Sequence, residues 1–196
     1  TDLAIFEHGS LWHTGVVTIG GNHFTNDIAV GLRTPIPDAE KTKRRSGCAL
    51  ASLVGEDETI EVASVGGREP RVMSRRILSE VLQPRAEEIF HALWDEIRRA
   101  GYERSLHSGL VLCGGGALLE GMAEIAEQIF DLPIRRGCPV DVGGLTDHVS
   151  SPSFATSVGL VKYAHLNQLR EQERLVGIGT LTSLAGRFKG LFRDFF

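Results

Sequence analysis

The sequence predicts an α/β protein in which short strands alternate with helices, and three observations carry that reading. Leu11–Ile19 reads as a strand that breaks into Gly20-Gly21 and then into an apolar-periodic segment, Ile28-Ala29-Leu32. Gly109–Cys113 reads as a buried strand that breaks into Gly114-Gly115-Gly116 and then into a second helical pattern, Leu118 and Leu119 through Ile125, Ile129 and Phe130. From Ser74 to Ala100, apolar residues recur at steps of three and four, the helical period. A strand–glycine–helix corner suits an anion or a nucleotide, because glycines admit a ligand to the backbone and the first helical turn offers unpaired N–H groups. The same pattern also serves as a tight turn that binds nothing.

At 196 residues the chain can bury one core or form two small lobes. Hydrophobic residues at 42% and charged residues at 23% are the balance of a globular protein. A formal net charge of −4 excludes a general attraction to nucleic acid or to an anionic surface, so such a contact needs a local patch. Cys48, Cys113 and Cys138 are odd in number, far apart and not at metal-ligand spacing; they read as reduced core thiols of a cytosolic protein, with no metal site. No run approaches the roughly 18–20 apolar residues of a spanning helix, and no signal peptide is recognised. The chain starts without Met inside a strand pattern, so it is expected to be a piece of a longer protein.

Thr1–Phe6 and Leu11–Ile19 form a β-hairpin turned at Glu7-His8-Gly9-Ser10, and Thr25 or Asn26 is placed to cap the helix that follows. Thr34-Pro35-Ile36-Pro37 is a rigid break. Asp38 then stands where an N-cap belongs, and Gly47 where the next helix stops. Glu40 and Lys43 share one face of that helix, as an ordinary solvated ion pair or as a binding pair. Ala49–Val65 reads as two short strands around an acidic turn, and Gly66–Arg71 as a second break. Pro84 is expected to kink or restart the long helix. Arg85 interrupts its apolar stripe, so it is either rotated outward or kept to pair with something. Ile134–Arg136 is a short strand, Pro139–Gly144 a loop, and Pro152 opens another helix. Asn167–Gly179 is polar and reads as a linker.

The last stretch is a candidate in-plane membrane helix. At about 100° per residue, Leu181, Leu184, Phe188, Leu191, Phe192 and Phe195 fall within an arc of roughly 120°. Arg187 and Lys189 flank that arc, and Arg193 lies on the polar side, so cations meet anionic headgroups while the apolar face enters the acyl boundary. Docking on its own domain is the competing reading.

With these residues in place, the chain resembles the C-terminal half of the bacterial cell-division FtsA family, within the actin/DnaK-type ATPase superfamily. TDLAIF resembles the tail of the second phosphate motif, IGGNHFTNDIA the glycine segment after the hairpin, DAEKTKRRSGCAL the adenine-side helix, and VLCGGGALLEG the adenosine motif. SVGGREPR, the LQPR run, GLTDHVSSPSFATSVGL and the amphipathic tail are similar to this family in particular.

The resemblance implies an actin-like (ribonuclease-H-like) lobe: a mixed sheet flanked by helices over 1–34 and 101–166. A smaller α+β subdomain is inserted at 35–100, followed by a linker at 167–180 and the amphipathic helix at 181–196. It implies half an ATP site with Mg, built on Gly20, Gly21, Glu40, Lys43, Gly114, Gly115 and Gly116, with the nucleoside on Glu40 and Lys43. It implies that Arg71, Arg85 and Glu88 take part in binding the FtsZ C-terminal peptide or in self-interaction. It further implies actin-like filaments, contacts with other divisome proteins, and a place on the cytoplasmic face of the inner membrane at the division site.

The first phosphate loop and the catalytic acids of the superfamily have no counterpart here. No hydrolysis is therefore expected of this chain, and at most a weak ATPase of the full-length protein. His8, His13, His23, His91, His107, His148 and His165 are scattered and read as surface or hydrogen-bonded residues. The alternatives are a fragment of a sugar kinase, of a chaperone ATPase, or of the pilus-assembly actin homologue.

Overall fold

The computed structural model describes residues 1–144 and 146–169. Strands β1 (Asp2–Glu7) and β2 (Ser10–Val16) pair antiparallel through a two-residue turn, His8 and Gly9, both at positive φ, with an irregularity at Ile5/Phe6. Helix α1 (Gly21–Gly31) then starts directly at the glycine pair. Thr25 and Asn26 therefore sit in its second turn and cap nothing, contrary to the sequence expectation. Helix α2 (Ile36–Ser46) follows with Pro35 at its N-cap and Pro37 just inside, where a missing N–H costs nothing. Asp38 is displaced from the cap into the first turn, where its carboxylate pairs with Lys41 at 2.8 Å. Gly47 ends α2 as expected, in extended backbone.

Between α2 and the long helix only one of the two expected strands forms ahead of the Gly66-Gly67 break. Ala51–Leu53 is a 3-10 turn, fixed by a tertiary bond in which the Ala51 N–H donates to Gln83 Oε1 at 3.0 Å. Strand β3 (Thr59–Val62) finds its antiparallel partner beyond the break, in β4 (Arg71–Ser74), which sequence reading absorbed into the turn and the helix start. Helix α3 (Arg75–Arg99) is capped by Ser74, whose Oγ accepts from the Arg76 N–H, and runs unbroken through Pro84 rather than restarting there.

Strand β5 (Leu110–Leu112) and β6 (Ile134–Arg136) pair in parallel around helix α4 (Met122–Phe130). Here the sequence reading needs three corrections. Leu118 and Leu119 precede α4, because Gly115–Leu118 forms a 3-10 turn and α4 is entered from Gly121 at φ +81. Val111 is 46% exposed, since β5 has a strand on one side only among the described residues, so this strand is not buried. Cys113 and Cys138 are exposed at the ends of the same pair, and only Cys48 is a core thiol. Pro152–Phe154 opens a helix over 155–169, so the start of the expected linker, 167–169, is helical. The rest of that linker and the amphipathic stretch Leu181–Phe196 lie outside the described residues. Among the described residues no helix is long and apolar enough to cross a membrane.

The α/β class thus stands, with antiparallel and parallel pairs and helices packed on them. One buried cluster runs through Phe24, Ile28 and Leu32 of α1, Leu78 through Ile97 of α3, and Ile125 and Phe130 of α4. Phe130 closes it, meeting Phe90 edge-on at 5.9 Å and Trp94 at 5.5 Å. Arg75 ties four segments at the start of α3. Its guanidinium donates to the Ser46 carbonyl and to Glu58 Oε2, both at 2.8 Å, and to Glu120, while its N–H donates to the Glu58 carbonyl. The hydrogen bond to Glu58 raises its pKa further, and an always-charged fork of this shape suits several oxygen partners at once.

Candidate functional site

Three of the predicted site residues, Gly21, Glu40 and Lys43, meet Thr25, which the sequence offered only as a helix cap. Glu40 and Lys43, three apart on α2, face the first turns of α1. Lys43 Nζ lies 2.5 Å from Glu40 Oε2 and donates to the Gly21 carbonyl at 3.0 Å and to Thr25 Oγ1 at 2.8 Å. Thr25 Oγ1 in turn donates to Glu40 Oε2 at 2.5 Å. Thr25 is 5% exposed, so its hydroxyl does its hydrogen bonding inside the protein. Burial pushes the Glu40 carboxyl up, but the hydrogen bonds from Lys43 and Thr25, with the charges of Lys43 and Arg44, outweigh it and hold the group below its ordinary range. The pair is therefore charged and fixed: the carboxylate is partly solvent-facing and can accept, while all three N–H groups of the ammonium are engaged within the protein.

The glycines are open. A Cβ on Gly21, Gly114 or Gly116 would meet no atom within 4 Å, and one on Gly115 would only reach Ser153 Oγ at 3.7 Å. Gly114 needs its identity, since its φ is +86, and its N–H donates to the Pro152 carbonyl at 2.9 Å. Gly20 is extended at φ −168, and its N–H donates to His23 Nδ1. The structure stitches the end of the glycine turn to the end of α2: the Ala49 N–H donates to the Glu120 carbonyl at 2.7 Å, and Cys48 bridges to Glu120. Gly21, Glu40 and Lys43 are thus brought together. Among the described residues, Gly114–Gly116 make no hydrogen bond to them; the stitch at Glu120 ties only the residues just beyond those glycines to the end of α2.

A second site lies between α1 and α3. An open groove of about 510 Å³ is lined by Asp27, Val30, Val81, Pro84, Arg85 and Glu88. Arg85 is kept in the apolar stripe to pair: its Nε and Nη2 donate to Asp27 at 2.6 and 2.9 Å, and its Nη1 to Glu88. The bond to Asp27, ahead of the pull of Glu88, raises the arginine pKa further. Asp27 was missed from sequence; its signal was an acid on the helix that faces an arginine out of place. Arg71 stands apart from this pair, its guanidinium donating to the Leu32 carbonyl at the far end of α1.

Comparison with known proteins gives these sites a setting. The family model described as "Cell division protein FtsA" matches residues 1–159. The cell division protein FtsA of Pseudomonas aeruginosa is 51% identical over 163 residues, covering 83% of this chain and 39% of that protein. That of Escherichia coli K12 is 43% identical over 185 residues, 89% of this chain and 44% of the relative. The chain thus spans less than half the length of these relatives. Among solved structures, MreB5 of Spiroplasma citri bound to ADP aligns with a TM-score of 0.62 at 20% identity, covering 87% of this chain and 52% of that one. At that identity the likeness speaks for the fold alone, which is actin-like. The family match also sets aside the kinase, chaperone and pilus readings, and the chain belongs to the FtsA family of cell division proteins.

Proposed function

We propose that this chain is the partner-binding part, and half of the ATP-binding part, of an actin-like adaptor that links FtsZ filaments to the inner membrane at the division site. The observation that carries the reading is the α1–α3 groove with Arg85 and Glu88 on its wall. It offers apolar contact from Val30 and Val81 beside the Arg85 guanidinium, which a peptide carboxylate reaches by displacing Asp27 or Glu88. The FtsZ C-terminal peptide is its occupant, and Arg71, which stands apart at the end of α1, is a further contact for a longer peptide. The amphipathic sequence Leu181–Phe196 supplies the hold on an anionic membrane surface, weak in one copy and useful through avidity in a filament.

ATP with Mg sets the conformation and polymerisation of the whole protein and carries the phosphates for it. Gly20, Gly21, Glu40, Lys43 and Gly114–Gly116 form the nucleoside half of that site, and their open backbone faces and fixed charges support this. Other divisome proteins and further copies of the same protein complete the set of partners.

The test is co-sedimentation with anionic liposomes, with and without an FtsZ C-terminal peptide. The intact chain is compared with one ending at Gly179, with Phe188→Glu/Phe192→Glu, and with Arg85→Glu. The intact chain is expected to pellet and carry the peptide. The truncated and double-glutamate forms stay in solution, and Arg85→Glu pellets without peptide. Equal pelleting of intact and truncated chains overturns the membrane role; peptide capture unchanged by Arg85→Glu overturns the groove.

A further inference from the structure

We propose that Cys113 and Cys138 are a paired modification site: a mild oxidant joins them in a disulfide that fastens the strand entering the glycine turn to the loop after β6. Such a bond needs neither a nucleotide nor a peptide to be bound.

The register of the parallel pair brings the two thiols together. Leu112 stands opposite Arg136, and the Gly137 N–H donates to the Leu112 carbonyl at 2.8 Å, so the ladder runs on until Cys113 faces Gly137. A Cβ on Gly137 would stand 2.8 Å from Cys113 Sγ, so that sulfur lies against Gly137, and the next residue is Cys138. Strands about 4.8 Å apart with a rise of about 3.3 Å per residue put the two Cα atoms on a diagonal of about 6 Å, inside the window of about 4.4–6.8 Å that a disulfide spans. A continuing strand would point Cys138 to the opposite face. β6 ends at Arg136, however, and residues 138–144 lie in neither helix nor strand, so rotation at Gly137 can turn Cys138 toward its partner. Both thiols are exposed, whereas Cys48 is buried and its S–H donates to the Leu50 carbonyl at 3.2 Å. Burial pushes the Cys48 thiol up and keeps it inert, so oxidant acts on the pair.

Hydrogen peroxide is an oxidant of the class required. One thiolate attacks a peroxide oxygen and breaks the O–O bond, giving a sulfenic acid and a hydroxide that takes up a proton. The second thiolate attacks that sulfur, the S–S bond forms, and the S–O bond breaks to release a second hydroxide, also protonated to water. Two thiols lose two protons and two electrons, and one peroxide becomes two waters. The ring so closed holds the glycine turn, α4 and β6, and Cys113 leads directly into Gly114. The bond therefore restrains the turn until a reducing thiol opens it, which is how redox-sensing cysteines work where thiols are kept reduced.

The experiment treats the reduced full chain with one equivalent of hydrogen peroxide and counts its thiols with a chromogenic disulfide reagent. Before oxidation, Cys113 and Cys138 react in the folded chain and Cys48 only in denaturant. After oxidation, the folded chain is expected to have lost both fast thiols, while the denatured chain keeps Cys48. Mass spectrometry of the peptides finds Cys113 and Cys138 joined within one chain, and dithiothreitol reverses the link. Amide exchange at Gly114–Gly116 slows in the oxidised chain, and Cys113→Ser and Cys138→Ser each abolish that slowing. Survival of both fast thiols, separate oxidation of each cysteine, or a link between two chains overturns the pair, and each is read on the wild type. Unchanged exchange at Gly114–Gly116 in a chain that carries the bond overturns its hold on the glycine turn.

Discussion

Asp27 supplies the charge that explains Arg85. The oddity of an arginine inside an apolar stripe was legible in the sequence, but its partner was not, because the two lie 58 positions apart and meet only once α1 and α3 pack. Asp27→Asn is expected to lower stability by about 1–2 kcal/mol, since a partly buried guanidinium loses a charged acceptor. It is also expected to tighten binding of an acidic peptide, because the fork is released; thermal melting and peptide titration read the two effects separately. Glu40 makes a second residue-scale prediction. Its carboxyl is held below the ordinary range in the fold, so its contribution is present above the unfolded carboxylate pKa and is lost as pH falls through the folded value. Thermal melts between pH 7 and pH 3 should therefore show the wild type losing more stability than Glu40→Gln below about pH 4.5. Parallel curves would place the linkage elsewhere. What single-sequence reading caught here was the spacing of Glu40 and Lys43; what it missed was Thr25, whose buried position depends on tertiary packing.

Among the elements, α3 was the most legible because its period is strong over 25 residues. Of the two outcomes expected at Pro84, a kink or a restart, the restart does not occur: a proline removes one hydrogen bond and crowds the preceding turn, yet packing holds the helix through it. Relieving that cost should show. Pro84→Ala is expected to raise stability by about 1–3 kcal/mol, read as an upward shift in melting temperature. Of the short elements, Ile134–Arg136 was legible and several others were not. β4 is four residues beginning with an arginine, and the 3-10 turns at Ala51–Leu53 and Gly115–Leu118 carry no period to detect. Gly121 shows why the second corner differs from its sequence pattern. It is at φ +81, and a Cβ there would stand 2.7 Å from the Leu50 N. Gly121→Ala is therefore strained twice over, and a loss of about 2 kcal/mol or more by denaturant titration is the expected outcome.

At the scale of the molecule, the family was legible from an ordered set of motifs, whereas the way the strands group was not. Alternation marks a strand but does not name its neighbour, and the described residues form three two-stranded pairs held by helices. Because one buried cluster joins α1, α3 and α4, the described part should unfold in a single transition. Phe130→Ala, which empties the junction of Phe90 and Trp94, should shift that transition down by about 3–5 kcal/mol without splitting it. A second calorimetric peak would show that the cluster is divided.

The paired strands have a practical outcome for anyone handling the chain. Each pair leaves a row of unbonded N–H and C=O groups along its outer strands among the described residues, and the first hairpin adds exposed Phe6, Leu11 and Trp12. Such rows template growth by strand addition, so in concentrated solution the material should thicken into fibrous aggregates, seeded from the hairpin and slowed by capping it.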